Sequence, residues 1–147
     1  SQDRRMAARM ARIANVSLEE LGRSIFSASA SEDRPVEDLL FTDFKEFHIA
    51  GHFFGVSHIT CVDSPHLLVR KEEFLAVMRR TMEEKGYSMM ILMLTDVLLE
   101  GTQLIYLGDE DTIRQAFNAD VRDNEVFLPK VMSRKKQIIP MLTALWG

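Results

Sequence analysis

Residues 89–99 read Met-Met-Ile-Leu-Met-Leu-Thr-Asp-Val-Leu-Leu, and this stretch decides the fold class. Its first six residues are all apolar, so it lacks the alternation that marks a strand with one face in water. A strand buried on both faces is typical of a sheet that lies between layers of helices. The stretch therefore predicts the central strand of an α/β domain.

The segments around this strand predict a mixed sheet of about five strands flanked by helices. The other predicted strands are rich in aromatic and β-branched residues, and they cover residues 44–49, 53–62, 102–107 and 125–128. Turn residues at Gly51-His52 and at Glu100-Gly101 predict that the first two strands form one hairpin, and that the central strand and its successor form another.

Helical patterns complete the predicted α/β fold. An apolar stripe over residues 67–86, with Gly86 as a stop, predicts the longest helix. Further predicted helices cover residues 36–40, residues 109–117 and the C-terminus from Pro140. Because proline is unfavourable inside a helix, residues 134–139 are predicted to be loop or extended chain.

The N-terminal residues predict an entry segment followed by one domain. Residues 3–14 carry apolar side chains at helical spacing, and a capping box from Ser17 to Glu20 opens a second helix. We therefore expect a linker or entry helix over residues 1–16 and a single domain over residues 17–147.

Composition narrows the classes of partner. The 147 residues are 46% hydrophobic and 27% charged, as in ordinary globular domains. With 18 basic and 22 acidic residues the net charge is −4, which disfavours general binding to nucleic acid. No apolar run approaches the roughly 20 residues that cross a bilayer. A single cysteine, Cys61, permits no internal disulfide, so we expect a cytoplasmic protein with no membrane partner.

The sequence carries few patterns that indicate catalysis. His48, His52 and His58 could approach one another, but no acidic residue lies between Gly51 and Cys61 and no HExxH spacing occurs. Exposed strand and turn histidines are the favoured interpretation. No GxSxG nucleophile motif is present, and Cys61 is predicted to be a small core residue.

The basic run Arg134-Lys135-Lys136 stands out in a net-negative chain. A solvated surface segment is the ordinary interpretation of such a run. Ser133 before it and Gln137 after it, however, add hydroxyl and amide donors to the guanidinium and ammonium groups, and all of these bind phosphate oxygens. Apolar residues on both sides would anchor the segment to the core. The run therefore predicts an anion site.

At these residues the sequence resembles the family II inorganic pyrophosphatases, whose C-terminal DHHA2 domain ends in an SRKKQ motif followed by apolar residues and a proline. The resemblance runs from about Ser17 to Trp146. Its other segments, in chain order, are DFKEF at 43–47, GVS at 55–57, VD at 62–63, LTDV at 94–97, AFN at 116–118 and FLPKV at 127–131.

The resemblance implies that Arg134, Lys135 and Lys45 bind pyrophosphate. Lys136 belongs to the motif, but we assign it no direct contact. It implies hydrolysis of diphosphate to two phosphates by a full-length, homodimeric enzyme. Mn²⁺, or Mg²⁺ or Co²⁺, would be bound by an N-terminal DHH domain that this chain lacks, so we expect no metal ligands and no catalytic residues here, and no activity from the chain alone. The family often has Gln where His58 stands, which leaves the role of this position open.

Two alternatives remain. An exopolyphosphatase of the same superfamily shares the domain type and acts on longer chains. A non-catalytic anion-binding or regulatory module would need no metal domain at all.

Overall fold

The computed structural model describes residues 34–147. The predicted helices over residues 3–14 and after Ser17, and the predicted boundary at residue 17, lie outside the described residues.

Within residues 34–147, five strands form one mixed sheet, which confirms the predicted fold class. They are β1 (Phe44–Ile49), β2 (His52–Cys61), β3 (Met89–Asp96), β4 (Gly101–Leu107) and β5 (Glu125–Pro129). Their spatial order follows the chain, and β2 and β3 pair in parallel while the other neighbours are antiparallel. Every residue of β3 is buried, as the continuous apolar run predicts.

Helices cover both faces of the sheet. The described helices are α1 (Val36–Phe41), α2 (Ser64–Leu68), α3 (Lys71–Lys85), α4 (Glu110–Phe117), a π-helix (Arg134–Ile138) and α5 (Ile139–Trp146). The side chains of α1, α2 and α3 pack on the face that carries Leu92 and Leu94 of β3, which we call the α3 face. Those of α4, the π-helix and α5 pack on the face that carries Ile91 and Met93, which we call the α5 face.

The hairpin between β1 and β2 closes through two residues with positive φ. Ala50 has φ 52° and Gly51 has φ 80°, the combination that a tight primed turn requires. The turn therefore lies at Ala50 and Gly51, and His52 already belongs to β2. This hairpin sets the register in which Lys45 lies opposite Val56.

The predicted helix over residues 67–86 is wrong in one respect, because it is two helices. Asp63 caps α2 by accepting a hydrogen bond from the His66 backbone N–H, and Pro65 occupies the first turn. The chain then breaks before α3, where Arg70 donates from Nη1 to the carbonyl of Arg34 at 2.7 Å. Neither glycine nor proline marks that break. Gly86 ends α3 in the left-handed conformation, as expected.

The prediction of loop or extended chain over residues 134–139 is also wrong, since Arg134–Ile138 forms a π-helix that leads directly into α5. Pro140 lies in the first turn of α5, the position that tolerates proline. A proline removes only its own N–H donor, and the donors that close the π-turn come from residues before it.

Over residues 34–147, no helix combines the length and the apolar character that crossing a membrane requires.

Candidate functional site

The basic turn has a shape fixed by its two flanking polar residues. The Ser133 hydroxyl accepts a hydrogen bond from the Lys136 backbone N–H at 3.0 Å. Gln137 accepts at Oε1 from the backbone N–H groups of Met132 (2.8 Å) and Ser133 (3.0 Å), and donates from Nε2 to the Lys130 carbonyl (3.0 Å). The Gln137 amide therefore shapes the backbone of the turn, although sequence reasoning grouped it with the anion donors.

The backbone of this turn is wider than an α-helix. The Ser133 carbonyl accepts from the N–H groups of both Gln137 and Ile138, and the Arg134 carbonyl accepts from that of Ile139. Bonds from residue i to i+5 define a π-helix, which is rare and frequent at functional sites. Ile138 is fully buried on the α5 face, so the turn is mounted on the core.

Arg134 is only 5% exposed, and one side of its guanidinium is held by the protein. Nη1 donates to the carbonyls of Asp43 (3.1 Å) and Val56 (3.0 Å), and Nη2 donates to the Asp43 carboxylate at 2.7 Å. A guanidinium has five N–H donors, so the Nε–H and one Nη2 hydrogen remain. Within residues 34–147 these two donors have no hydrogen-bond partner.

Lys45 lies on the same side of the sheet as Arg134. Side chains alternate along a strand, so Lys45 shares its face with Phe47 and Ile49, which pack on the α5 face. Its register partner is Val56, whose carbonyl accepts from Arg134. The structure thus brings Lys45 and Arg134 to one position on β1 and β2, although they lie 89 positions apart in the sequence.

The lysines supply the unbalanced charge. Lys45 and Lys135 are exposed, and among the described residues neither ammonium group has an ion pair or hydrogen bond. Arg134 is paired with Asp43, so that pair is neutral as a whole and contributes directed hydrogen bonds. The positive potential at this site must therefore come from the lysines.

A buried polar cluster adjoins the turn, and sequence reasoning missed it. It comprises His58, Thr60, Thr95 and Thr102, all on the α5 face and all at most 2% exposed. His58 was predicted to be an exposed strand histidine, but its Nε2 lies 2.6 Å from the Thr95 hydroxyl in the interior. The one signal in the sequence is the change from apolar residues to Thr95 at the end of the β3 run.

The other candidate residues are structural. The His48 ring packs edge-on against Phe53, and the His52 ring stacks on Trp146 with 4.0 Å between centroids. No group of three or more His, Cys, Asp or Glu side chains within residues 34–147 is arranged to hold a metal ion. The described residues therefore do not fit a manganese site.

Cys61 is confirmed as a small core residue. Its side chain is fully buried on the α3 face. Burial, and secondarily the negative charge of Asp96, raises the pKa of the Cys61 thiol to about 12. A thiol with this pKa is protonated at neutral pH and is a poor nucleophile.

Comparisons with known proteins identify the family of this domain. The profile of the DHHA2 domain matches residues 23–145. Over 146 residues the chain is 32% identical to a relative from Clostridium acetobutylicum, covering 98% of this chain and 47% of the relative. A relative from Lactobacillus helveticus is 36% identical (96% and 47% covered) and one from Methanocaldococcus jannaschii is 32% identical (95% and 46% covered). All three are assigned as manganese-dependent inorganic pyrophosphatases.

A solved structure shows the same fold. It is a crystal structure from Methanococcus jannaschii assigned to the family II inorganic pyrophosphatases, with a TM-score of 0.71 and 31% identity. The match covers 75% of this chain and 36% of that chain. The present chain spans just under half the length of the curated relatives it matches.

Proposed function

This chain belongs to the DHHA2 domain family, and from that premise we propose that it is the C-terminal, substrate-binding domain of an inorganic pyrophosphatase, which hydrolyses diphosphate to two phosphates. Arg134, Lys135 and Lys45 would bind the pyrophosphate oxygens. The name shared by the relatives specifies manganese, which we assign to an N-terminal DHH domain of the same polypeptide. Manganese there would supply the activation of water.

The observation that carries the proposal is the arrangement of donors around Arg134. Its Nε–H and one Nη2 hydrogen remain after Asp43 and Val56 have taken the other three, and two donors of one guanidinium match the spacing of two phosphoryl oxygens. Because the other side of the group is held by the protein, the ordering of this side chain is complete before substrate arrives.

The charges around Arg134 suit a substrate with several negative oxygens. Lys45 and Lys135 would neutralise these oxygens, and Arg134 would orient them. During hydrolysis the charge on the leaving phosphate increases, so donors that are already fixed stabilise the transition state more than the ground state. This chain would therefore hold the substrate and stabilise its departing half.

Several features of the complete protein are part of the same proposal. We place the domain at residues 17–147 and the linker from the DHH domain before residue 17. We also propose that the full-length enzyme is a homodimer and acts in the cytoplasm. The N-terminal domain is needed to complete the active site, because residues 34–147 supply no metal-ligand group.

Kinetics on the complete polypeptide test the proposal. Hydrogen bonds to charged groups contribute about 1.5–3 kcal/mol each, so Arg134→Ala should lower kcat/KM for pyrophosphate at least about tenfold. Lys45→Ala and Lys135→Ala should each lower kcat/KM by a smaller factor. In both variants kcat/KM should also depend less steeply on salt concentration than it does in the wild type. Lys85→Ala, an exposed lysine at the end of α3 on the opposite face, is the matched control and should leave kcat/KM unchanged.

Three results would contradict the proposal. If Arg134→Ala behaves like the Lys85→Ala control, the assigned site is wrong. If long-chain polyphosphate is hydrolysed faster than pyrophosphate, the enzyme is an exopolyphosphatase. If these 147 residues alone hydrolyse pyrophosphate with added manganese, the division between two domains is wrong.

A further inference from the structure

Three buried side chains form a continuous line of hydrogen bonds that ends on the backbone just before the basic turn. The Thr102 hydroxyl donates to the Val131 carbonyl at 2.5 Å. The hydroxyls of Thr95 and Thr102 lie 2.9 Å apart, and His58 Nε2 lies 2.6 Å from the Thr95 hydroxyl. All three side chains are at most 2% exposed, so these bonds are shielded from water.

The direction of every bond in this line follows from the first one. A threonine hydroxyl has one hydrogen, and Thr102 gives its hydrogen to the Val131 carbonyl. Thr95 must then donate to Thr102, which leaves the Thr95 oxygen as an acceptor for His58. His58 therefore carries a hydrogen on Nε2, and it is the terminal donor of the line.

The two ends of the line converge on Arg134. Val131 precedes Met132 and Ser133, whose backbone N–H groups donate to Gln137 Oε1. Arg134 is the next residue in the chain. At the other end, the His58 backbone N–H donates to the Asp43 carbonyl at 2.9 Å, and this carbonyl also accepts from Arg134 Nη1. His58 is thus connected to the turn through its side chain and to the guanidinium through its backbone.

We infer that His58, Thr95 and Thr102 are positioning residues, which set the entry of the basic turn and hence the orientation of the two Arg134 donors toward pyrophosphate. The inference rests on the proposed function. The line contacts no substrate, and it acts through the Val131 carbonyl and Arg134. It gives His58 a role that neither its burial nor its position in β2 indicates alone.

Thr60 supplies an internal control. It lies two residues beyond His58 on the same face of β2 and is equally buried. Its hydroxyl has no hydrogen-bond partner among residues 34–147. Replacing Thr60 by valine therefore removes a buried hydroxyl from the same region without breaking the line.

The experiment is a double-mutant cycle on kcat/KM of the complete polypeptide with pyrophosphate. Thr102→Val should lower kcat/KM about fivefold when Arg134 is present and less than about twofold in the Arg134→Ala background, because coupled residues are not additive. Thr102→Ser, which keeps the hydroxyl, should restore most of the loss, and Thr60→Val should have less than about a twofold effect. If Thr102→Val does not fold, Thr95→Val keeps the Thr102–Val131 bond but breaks the link to His58, so it should show a coupling to Arg134 of the same sign and smaller size.

The possible outcomes separate the inference from the function on which it rests. Equal losses in both backgrounds, or an effect of Thr60→Val as large as that of Thr102→Val, would show that the line only stabilises the core and would overturn the inference. Loss of activity in Arg134→Ala with no effect of Thr102→Val would also overturn it, while leaving the substrate site in place. If Arg134→Ala has no effect on kcat/KM, the proposed function fails and the inference fails with it.

Discussion

Thr95 and Asp96 are neighbours at the end of β3, both almost fully buried, but they point to opposite faces of the sheet and hold different parts of the molecule. On the α3 face, Asp96 accepts four hydrogen bonds from groups close to it. Oδ2 accepts from the backbone N–H and the hydroxyl of Ser64, each at 2.8 Å, and Oδ1 accepts from the backbone N–H groups of Leu98 and Leu99, each at 3.0 Å.

Thr95, on the α5 face, instead belongs to the line that reaches Val131 and the basic turn. Asp96 therefore ties together the start of α2 and the turn after β3, which are parts of the fold. Thr95 connects the core to residues that we assign to substrate. Both residues are polar and equally buried, so burial does not distinguish their roles, and the difference that matters is what each one's partners do.

The largest expected effect on stability comes from Asp96→Ala. Removing the carboxylate leaves three backbone N–H groups and one hydroxyl without an acceptor, and we expect the free energy of unfolding to fall by about 4 kcal/mol. Urea unfolding followed by circular dichroism measures this change. Because Asp96 holds the fold and not the site, kcat/KM per folded molecule should change less than about twofold.

Asp96→Asn sharpens this expectation. An amide keeps one oxygen for Leu98 and Leu99 but presents an NH₂ group to the Ser64 donors, so it should recover only part of the lost stability. If Asp96→Ala lowered kcat/KM per folded molecule as strongly as Thr102→Val does, the distinction between the two neighbours would be wrong.

An intermediate effect is expected at Asp43, the partner of Arg134. Breaking a fully buried ion pair costs about 3–5 kcal/mol. Asp43 is about a quarter exposed and Arg134 keeps its two carbonyl acceptors, so we expect Asp43→Ala to cost about 2 kcal/mol of unfolding free energy. The affinity for pyrophosphate, measured by calorimetry on the complete polypeptide, should fall as well.

The control for Asp43 is an ion pair on the α3 face. Glu37 and Arg80 are both more than half exposed and lie 3.0 Å apart. Breaking such a pair with Glu37→Ala should cost about 0.5 kcal/mol and leave pyrophosphate affinity unchanged. If Asp43→Ala were no more costly than Glu37→Ala, Arg134 would not depend on its carboxylate for its position.

The sheet could be predicted from the sequence because its signals are local. The apolar run of β3, the turn residues around Gly51 and the spacing of the remaining strands depend on neighbours within a few positions. The broken helix before α3 could not be predicted, because the break goes with a contact from Arg70 to the carbonyl of Arg34, which lies 36 positions away.

The site was predictable only in part, for the same reason. The Arg134 and Lys135 run is visible as a charge pattern, but Lys45 was found through the family resemblance alone. The Asp43 partner of Arg134 lies 91 positions away, and no local pattern links the two. The π-helix depends on how Ser133 and Gln137 bond to nearby backbone, which charge and hydropathy do not encode.

The effect expected to vanish at neutral pH concerns Cys61, which lies opposite Asp96 in the β2–β3 register. Its pKa is raised from about 9 to about 12 by burial and by the Asp96 charge. Below pH 9 the thiol is protonated in both the folded and the unfolded chain, so its contribution to stability is fully present. Between pH 9 and 12 only the unfolded chain loses the proton, and stability should fall by up to about 1.4 kcal/mol per pH unit.

Tyrosines and lysines also titrate in this range, so the measurement must be a difference. Urea unfolding of the wild type and of Cys61→Ala between pH 8 and 10.5 should show the wild type losing its stability relative to the variant as the pH rises above 9. If the difference in unfolding free energy between the wild type and Cys61→Ala stays constant with pH, the α3 face at the end of β2 is open to water. Asp96 would then not lie in a dry part of the fold, and its contrast with Thr95, which is connected to the site, would no longer hold.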